Sequence, residues 1–399
     1  MPYFYPNDPI EYPYSIPFIA GHLYSFFNNS HQLLEDSRLY FKNSRTPYAL
    51  TVAGQIWYII TSPCDVASIY KINDGTCSYD IFVETVMETI GITEDGIRKA
   101  YQTKSKKSEK DDKHLVRLCK EYQIAQLSPG VKFDELVNPA VEYISAFLDL
   151  NVLAKRTNWS DSTQSDAVTV SLYEFISEVF IGLGQEAYFG KLLSKIDTDL
   201  VSSFKVFDAL AWQVLYQYPK PFCGTMLAAK LKIGSALEEY FSTPVEDRQD
   251  AAWMILELEK DMKRLGVSSH DKALFFFQLY WSVCGNNRKG PFWMLAYMLF
   301  DPPLFERIQQ EVAPAVTAER IDTEHLLTLC PYLNAVWDET LHKTTFAASV
   351  RFLTKDISLP NSPLILRKGN RIIMPQRQLH FNEKILGANA TTFNAKRFI

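Results

Sequence analysis

One long apolar stretch constrains the fold of this chain more than any other feature. It runs from Ala273 to Phe300, and a polar segment, Gly285–Pro291, interrupts it near the middle. Charged side chains are costly inside a bilayer, and Arg288 and Lys289 lie in that segment, so the stretch is not expected to cross a membrane. It predicts instead a long buried helix with an irregular centre.

The rest of the chain favours a mainly helical protein with a small β part. Of its 399 residues 47% are hydrophobic, enough for a sizeable core, and only 16 are glycine. Long segments have apolar residues at helical spacing, which favours helices over a sandwich or a barrel. The β part is expected near both ends of the sequence. There Pro47–Thr61 predicts two strands around Gly54, and Leu364–Pro375 predicts a hairpin around Lys368–Asn370.

Local sequence signals predict where several helices and loops begin and end. Ser62–Asp65 combines an N-cap residue, a proline and an acidic residue, so a helix is expected to begin there. Another helix is expected over Leu115–Leu127, and the long helix is expected to end at Asp301–Pro303. Two polar segments, Lys104–Lys113 and Asn158–Asp166, predict a solvated loop and a linker. Length alone allows two or three domains, but no repeat or low-complexity block appears, so one compact unit is expected.

Charge and cysteine content exclude some classes of function. The formal net charge is −5, which does not suggest a nucleic-acid partner. The cysteines form no CxxC pair and have no zinc-site spacing to a histidine, which indicates reduced thiols of an intracellular protein. No apolar run long enough for a membrane anchor occurs near Met1. The six cysteines are Cys64, Cys77, Cys119, Cys223, Cys284 and Cys330.

A glycine motif formally matches the G-x-G-x-x-A pattern of dinucleotide-binding sites. It spans Gly182–Ala187, and such a site needs a buried strand immediately before the motif. The preceding residues, Leu172–Phe180, have helical spacing and include two glutamates. A turn at the end of a helix is therefore the expected structure.

Glu339 and His342 lie three positions apart on one predicted helix and therefore share a face. A carboxylate beside an imidazole is compatible with acid–base or metal chemistry. No HExxH pattern and no third ligand lies nearby in the sequence. A structural polar pair is expected, and no catalytic or metal-ligating residue is assigned.

Two segments resemble landmarks of the cytochrome P450 family. Pro331–His342 resembles its K-helix, and Thr392–Phe398 resembles its later P-x-R-F segment. In the family a glutamate and an arginine of the K-helix form a structural cluster with an arginine of the second segment. The resemblance places Glu339 and Arg397 at the glutamate and at the second arginine. His342 stands where the first arginine is usual, so this cluster is expected to be partly dismantled.

The long apolar helix resembles the I-helix of the same family. Trp281–Asn286 and Phe292–Trp293 match a W-x-x-x-G-N … F-W pattern. That pattern is typical of the branch with prostacyclin synthase and the bile-acid hydroxylases, and of many P450s of fungal secondary metabolism. The resemblance thus places this chain near that branch.

Most P450s have an acid–threonine pair at the waist of the I-helix. Here Gly285, Asn286 and Asn287 occupy the waist, and Arg288 and Lys289 follow. Two cations beside an apolar pocket are costly unless they are paired or solvated. We interpret Arg288 and Lys289 as damage to the site of oxygen activation.

The resemblance implies a haem cofactor and residues that contact its propionates. Arg351 stands in the strand whose arginine often binds a propionate, and His114 and Arg117 lie on a helix that often supplies further contacts. A surface role is an equal alternative for His114 and Arg117. Ile16–Leu23 resembles the proline-rich segment that follows a membrane anchor in relatives.

The family binds haem iron through a cysteine thiolate in a Phe-x-x-Gly-x-x-x-Cys loop. No such string occurs here, and Cys284 and Cys330 lie at other landmarks of the family. The resemblance therefore implies a P450 domain over residues 1–399 that is truncated before the haem-cysteine loop and the L-helix. This polypeptide is expected not to form a normal thiolate-ligated haem, and its fold is expected to be marginal.

The function implied by the resemblance is monooxygenation of an apolar small molecule, with electrons from an NADPH-dependent flavoprotein reductase. The implied location is intracellular, at the surface of the endoplasmic reticulum, without a transmembrane anchor in this chain. Two alternatives stay open. One is a catalytically inactive P450 remnant, and the other is a module that binds an apolar ligand.

Overall fold

The computed structural model describes residues 6–14, 20–72, 74–103, 113–149, 152–153, 160–164, 167–216, 218–317, 321–360 and 362–399. The chain divides into two compact units, one of residues 1–84 with 331–399 and one of residues 85–330. The expectation of a single domain stays a prediction. Most of the predicted loop Lys104–Lys113, and residues 16–19 of the proline-rich segment, lie outside the described residues.

Helices dominate the described residues. In chain order they are α1 (Leu23–Tyr40), α2 (Pro63–Lys71), α3 (Asp80–Ile90), α4 (Glu94–Tyr101), α5 (Leu115–Leu127), α6 (Val131–Phe147), α7 (Leu172–Phe189), α8 (Lys191–Ile196), α9 (Leu200–Leu210), α10 (Trp212–Leu215), α11 (Gly224–Ser242), α12 (Trp253–Leu265), α13 (Ser269–Asn287), α14 (Lys289–Leu299), α15 (Pro302–Val312), α16 (Thr323–Thr328), α17 (Pro331–Thr344), α18 (Gln376–His380) and α19 (Glu383–Leu386). The strands are β1 (Tyr48–Val52), β2 (Gln55–Ile59), β3 (Cys77–Ser78), β4 (Ser160–Gln164), β5 (Ala167–Val170), β6 (Ala348–Leu353), β7 (Ile357–Ser358), β8 (Ile365–Leu366) and β9 (Arg371–Pro375).

The first unit is built on a five-stranded sheet in the order β1-β2-β9-β6-β3. Strands β2 and β9 run parallel, and the other neighbours are antiparallel. Strands β1 and β2 form the predicted hairpin, which turns at Ala53 and Gly54, both at positive φ. The sheet joins segments from the two ends of the sequence, as the pattern of β signals indicates.

The predicted hairpin over Leu364–Pro375 is wrong, although its turn is present. Gly369 has a φ of +83°, which suits glycine. The two arms, however, join different partners. Strand β8 pairs with β7, whereas β9 pairs with β6 and β2 in the central sheet. A turn signal between two β-rich arms does not by itself specify that the arms pair with each other.

The sheet has apolar side chains on both faces. One face contributes Tyr58 and Ile372 to a cluster with residues of α2, and the other contributes Leu50 and Ile59 to a cluster with Leu33 of α1. Burial on both faces explains why β1 is apolar almost throughout and does not alternate.

The second unit is organised around the long helix, as predicted. This long helix consists of α13 and α14, which meet at Arg288. Aromatic side chains fill the space around α13. Phe276 stacks on Phe241 of α11 with 4.2 Å between ring centroids, and Phe277 meets Phe207 of α9 edge-on at 4.8 Å. Such aromatic contacts add to the burial energy of the rings and fix the helices against each other.

The glycines of the G-x-G motif lie inside α7, so the predicted turn at a helix end is wrong. A Cβ on Gly182 would clash with the hydroxyl of Tyr143 in α6, and one on Gly184 would lie 3.0 Å from the side chain of Val283 in α13. The motif therefore serves close helix packing and does not bind a nucleotide. A small residue is needed where two helix backbones approach this closely.

Three predicted boundaries are confirmed and one is partly wrong. Ser62 caps α2 by accepting from the Asp65 N–H, Asp301 caps α15 in the same way, and α5 spans Leu115–Leu127. Within the predicted linker Asn158–Asp166, residues 160–164 form strand β4, paired with β5. The other residues of that linker lie outside the described residues.

Candidate functional site

The structure brings Glu339, His342 and Arg397 together in the first unit. Helix α17 places Glu339 and His342 one turn apart, and the Glu339 side chain is fully buried. The Arg397 Nε donates to Glu339 Oε2 at 2.9 Å, and the backbone N–H of Asn394 donates to Oε1 at 2.9 Å. A buried carboxylate with several charge-assisted donors is well satisfied, so this cluster is not dismantled.

Arg397 also fixes the loop in which it lies. Its Nη2 donates to the carbonyl oxygens of Asn389 and Thr392, both at 2.9 Å, and its Nη1 donates to that of Leu386 at 3.2 Å. One guanidinium thus connects Glu339 to three carbonyls of the segment before it. The arginine side chain is nearly buried, although its bonds to Asn389 and Thr392 lie at the surface.

His342 takes the place of the second cation of the cluster. Its Nδ1 lies 3.1 Å from Glu339 Oε2, and its Nε2 lies 3.0 Å from the carbonyl oxygen of His380 in α18. In return, Nδ1 of His380 lies 3.3 Å from the carbonyl oxygen of His342. The two histidines therefore tie α17 and α18 by reciprocal hydrogen bonds from each side chain to the other residue's carbonyl.

Arg351, predicted to contact a haem propionate, lies on β6 between two tyrosines of the same unit. Its guanidinium carbon is 5.0 Å from the ring centroid of Tyr70 and 5.0 Å from that of Tyr79. Its Nη1 donates to the Val350 carbonyl at 2.7 Å, and among the described residues it has no carboxylate partner. A cation stacked between aromatic rings keeps N–H donors for an anion, so this residue fits a propionate.

His114 and Arg117, the other predicted propionate contacts, serve the start of α5 in the second unit. The Nδ1 of His114 accepts from the backbone N–H of Arg117 at 3.3 Å, which makes His114 the N-cap. Arg117 is exposed, and its Nε donates to Glu121 Oε1 at 3.2 Å. Lys113, followed by Arg117, lowers the pKa of Glu121. Both predicted residues thus have partners within their own helix.

The predicted waist lies at the end of α13. Gly285 is buried, whereas Asn286 and Asn287 are exposed. The Asn286 Nδ2 donates to the carbonyl of Ser282 at 2.9 Å. A Cβ on Gly285 would lie 3.1 Å from Oδ1 of Asp208, so this glycine allows a carboxylate of α9 to approach the helix.

Arg288 and Lys289 are not uncompensated cations, because both pair with Asp208. Arg288 is nearly buried and donates from Nη2 to Asp208 Oδ2, while Lys289 Nζ lies 3.3 Å from the same oxygen. Arg288 Nη1 also donates to the hydroxyls of Tyr173 at 2.9 Å and of Ser177 at 3.1 Å. Arg288 thus connects the junction of α13 and α14 to α7 and α9, which gives it a structural role.

Burial disfavours the thiolate form of four of the six cysteines. It raises the pKa of Cys77 and Cys330 and holds that of Cys284 far above its ordinary value. Burial also raises the pKa of Cys119 to about 11. Because haem iron is bound by the thiolate, these four side chains are poor candidates for its ligand. The exposed Cys64 lies in the first turn of α2, where no described histidine or carboxylate group forms a metal site with it.

A cleft of about 1130 Å³ lies in the second unit between α6, the end of α7 and the start of α12. Its lining includes Tyr143, Phe147 and Trp253 together with the exposed residues Glu142 and Asp250. Carboxylates in the lining do not suit a wholly apolar ligand, because each would lose hydration on binding. This cleft therefore does not support the alternative of a module that binds an apolar ligand.

The described residues contain neither a membrane-spanning helix nor a cluster of metal ligands. No helix among them is both long and apolar enough to span a membrane. No group of three or more histidine, cysteine or acidic side chains in the described part of the chain is arranged to hold a metal ion.

Comparison with known proteins gives consistent matches. The sequence model of the cytochrome P450 family matches residues 132–399. The cytochrome P450 monooxygenase poxD of Penicillium oxalicum is 22% identical over 413 residues, which covers 99% of this chain and 78% of poxD. The human 7-alpha-hydroxycholest-4-en-3-one 12-alpha-hydroxylase is 25% identical over 149 residues, which covers 35% of this chain and 30% of that enzyme.

A solved structure shows the same fold. Cyanobacterial CYP120A1, bound to retinoic acid, superimposes with a TM-score of 0.66 at 15% sequence identity, over 98% of this chain and 82% of that chain. Because the family model covers more than half of the sequence, the chain belongs to the cytochrome P450 family. Its fold is the mainly helical P450 fold with a small β part, as predicted.

Sequence reasoning missed the residues that complete these clusters. Asp208 lies 80 residues before Arg288, and His380 lies 38 residues after His342, so no local spacing links either pair. Tyr70 and Tyr79 likewise lie more than 270 residues before Arg351 and contact it only in the folded structure, Tyr70 from α2 and Tyr79 from the residue after β3. Arg288 and Lys289 were the one signal in the sequence that such a partner exists, since buried cations require a carboxylate.

Proposed function

We propose that this chain is the main part of the polypeptide of a P450 monooxygenase that oxidises an apolar small molecule in secondary metabolism. The correspondence with poxD over 99% of the chain carries the proposal. The match to the human 7-alpha-hydroxycholest-4-en-3-one 12-alpha-hydroxylase supports it further. An NADPH-dependent flavoprotein reductase is the proposed electron donor, and the endoplasmic reticulum surface is the proposed location.

Haem supplies the oxygen-activating chemistry of this family when a cysteine thiolate binds its iron. In this chain Arg351 fits one propionate, because its guanidinium lies between Tyr70 and Tyr79 without a described carboxylate partner. Four of the six cysteines fit the iron poorly, since burial favours their neutral thiols, and residues 1–399 contain no Phe-x-x-Gly-x-x-x-Cys string. We therefore propose that these 399 residues by themselves do not form a thiolate-ligated haem centre.

The spectrum of the reduced, CO-bound protein tests this proposal. The purified chain is incubated with haemin, reduced and exposed to CO, and the Soret band of thiolate-ligated haem is expected to be absent. A strong band of that kind would contradict the proposal. In that case Cys64→Ser and Cys330→Ser, which remove an exposed and a buried thiol, identify the ligand.

Titration with haemin separately tests the proposed role of Arg351. If haemin binds through its propionates, Arg351→Gln should weaken binding by about tenfold, because one charge-assisted pair is lost. The matched control is Arg117→Gln, since Arg117 already pairs with Glu121 on the surface. Equal affinities for the two variants would contradict the assignment of Arg351.

A second candidate is a P450 family member without oxidising activity, and the unsuitable cysteines favour it. Transcript sequence that follows the codon for Ile399 distinguishes the two candidates. An in-frame Phe-x-x-Gly-x-x-x-Cys string supports the monooxygenase, and the longer chain should then consume NADPH when reductase and an apolar substrate are added. No such string in any frame supports the inactive member and contradicts the first proposal.

A further inference from the structure

Arg377, in the first turn of α18, is a stacked arginine of the first unit that lies outside the sites described above. Its guanidinium carbon is 4.6 Å from the ring centroid of Phe346 and 5.0 Å from that of Phe381. The side chain is half-buried, and among the described residues its nitrogens have no acceptor, although they reach the solvent. Two rings thus hold a guanidinium in place while its N–H donors stay available for an anion.

Lys343 brings a second cation to one of the same rings from α17. Its Nζ lies 4.9 Å from the ring centroid of Phe381, the ring on which Arg377 stacks at 5.0 Å. The ammonium donates one hydrogen bond, to the carbonyl oxygen of Thr391, and therefore has two further N–H donors. Burial lowers the pKa of Lys343, and the charge of Arg377 lowers it further. Two cations that disfavour each other in this way are stabilised by an anion that both can contact.

His31 approaches the same place from a third helix, α1. Its ring centroid is 5.3 Å from that of Phe346, the other ring on which Arg377 stacks. Burial, and after it the charge of Arg377, lowers the pKa of His31, so the imidazole is neutral at pH 7. A neutral imidazole has one N–H donor, and no group in the described part of the chain accepts it. Basic side chains of three different helices therefore converge around two phenylalanine rings.

The carboxylates one turn away on the same helices are already engaged. Glu339 on α17 accepts from Arg397, and Glu35 on α1 pairs with Arg38. Across the described residues, none of the three basic side chains has a carboxylate at ion-pair distance. The protein itself thus leaves this positive charge without a counterion, unlike the charges of Arg288 and its neighbours.

We infer that Arg377, Lys343 and His31 form a binding site for a phosphate group, carried by a small soluble phosphate ester or by a lipid headgroup. The fork of a guanidinium matches two phosphate oxygens, and the ammonium and the imidazole N–H supply further donors. A phosphate monoester carries about −1.5 to −2 charges at pH 7, which matches two cations, whereas a carboxylate would neutralise one. The site is independent of the proposed monooxygenase activity, whose haem contact is Arg351.

Titration of the 399-residue chain with inorganic phosphate at constant ionic strength tests the site, with ³¹P NMR line widths as the measure of affinity. Arg377→Gln should weaken phosphate binding by about tenfold, because a bidentate charge-assisted pair is lost. Arg377→Lys keeps the charge but not the fork, so its affinity should lie between those of the other two chains. Absence of phosphate binding, or equal affinities for the unmodified chain and Arg377→Gln, would overturn the inference.

Arg371 on β9 offers a matched control in the same unit. Its guanidinium carbon is 4.8 Å from the ring centroid of Phe352, and no lysine or histidine of the described residues shares that ring. Arg371→Gln removes the same charge and should leave the affinity for phosphate within about twofold. A loss as large as that of Arg377→Gln would show general attraction to positive charge and would count against a defined site.

Two further variants test whether the three helices contribute to one site. Lys343→Gln and His31→Gln each remove one donor, and each should weaken phosphate binding by about threefold. They also keep the inference testable if Arg377→Gln fails to fold. Unchanged affinity in both variants would show that the three side chains do not act on one ligand and would overturn the inference.

Vesicles distinguish the two sources of the phosphate group. The chain is sedimented with vesicles of phosphatidylcholine, with and without phosphatidic acid. Sedimentation that requires both phosphatidic acid and Arg377 assigns the site to a lipid headgroup, whereas phosphate binding without sedimentation assigns it to a soluble ester. Sedimentation that persists in Arg377→Gln, in a chain that does not bind inorganic phosphate, would contradict the site.

Discussion

Two buried ionic clusters of this protein have a similar composition but differ in their second basic side chain. In the second unit, Asp208 pairs with Arg288 and Lys289 at the junction of α13 and α14. In the first unit, Glu339 pairs with Arg397 and His342 on α17. Each cluster has one carboxylate and two basic side chains, and in each the carboxylate and an arginine are nearly buried.

The difference lies in the second basic side chain. Lys289 is half exposed, so water solvates part of its charge. His342 is nearly buried, and its ring nitrogens face Glu339 Oε2 and the carbonyl oxygen of His380. The second partner of the carboxylate is therefore solvated in one unit and enclosed by protein in the other.

The largest effect is expected for Arg397→Met, which leaves Glu339 buried with a weaker partner set. Removal of one partner of a buried ion pair costs about 3–5 kcal/mol, so the free energy of unfolding should fall by that amount in urea denaturation. The matched control is Arg98→Met, because Arg98 and its partner Asp95 are both largely exposed. The control should change stability by at most about 0.5 kcal/mol. Similar losses for both variants would contradict a buried cluster at Glu339.

A somewhat smaller loss, about 3 kcal/mol, is expected for Arg288→Met, because Lys289 still neutralises Asp208. Lys205→Met is the control, since Lys205 pairs with Glu174 between the same helices, α9 and α7, but closer to the surface. That exposed pair should contribute at most about 1 kcal/mol. Equal losses of unfolding free energy for Arg288→Met and Lys205→Met would show that burial does not decide how strongly these ion pairs stabilise the fold.

A loss of about 1–3 kcal/mol is expected for His342→Leu, because the buried Glu339 carboxylate and the His380 carbonyl then face an apolar side chain. The control is His270→Leu, since His270 pairs with Glu238 at the surface, where both side chains are exposed. That variant should change the free energy of unfolding by at most about 0.5 kcal/mol in urea. Similar losses for the two variants would contradict a structural role of His342.

The smallest effect is expected from Gly285→Ala. Alanine is favoured in a helix by up to about 1 kcal/mol, but here its Cβ would lie 3.1 Å from Oδ1 of Asp208. Asp208 is held by Arg288 and cannot move away, so the gain should be cancelled or reversed. Gly234→Ala in α11, where nothing lies within 4 Å of the added Cβ, should gain stability by about 0.5–1 kcal/mol. Equal gains in thermal unfolding would show that Asp208 can shift.

Local sequence signals predicted those features that depend on residues near each other in the chain. The strands around Gly54, the cap at Ser62 and the helix Leu115–Leu127 follow from turn chemistry, capping and period. The arms around Gly369 show the limit of such signals. Their β propensity was correct, but pairing with β7, β6 and β2 depends on strands that lie elsewhere in the sequence.

The sequence by itself determined the class of fold, the long interrupted helix and the positions of Glu339 and Arg397, because periodicity and family motifs are local. Only the tertiary structure decided what Arg288 and His342 do. A buried cation is tolerable only with an acceptor within hydrogen-bond distance, and those acceptors, Asp208 and the His380 carbonyl, come from distant segments. Packing therefore turned two apparent departures from the family pattern into partnered side chains.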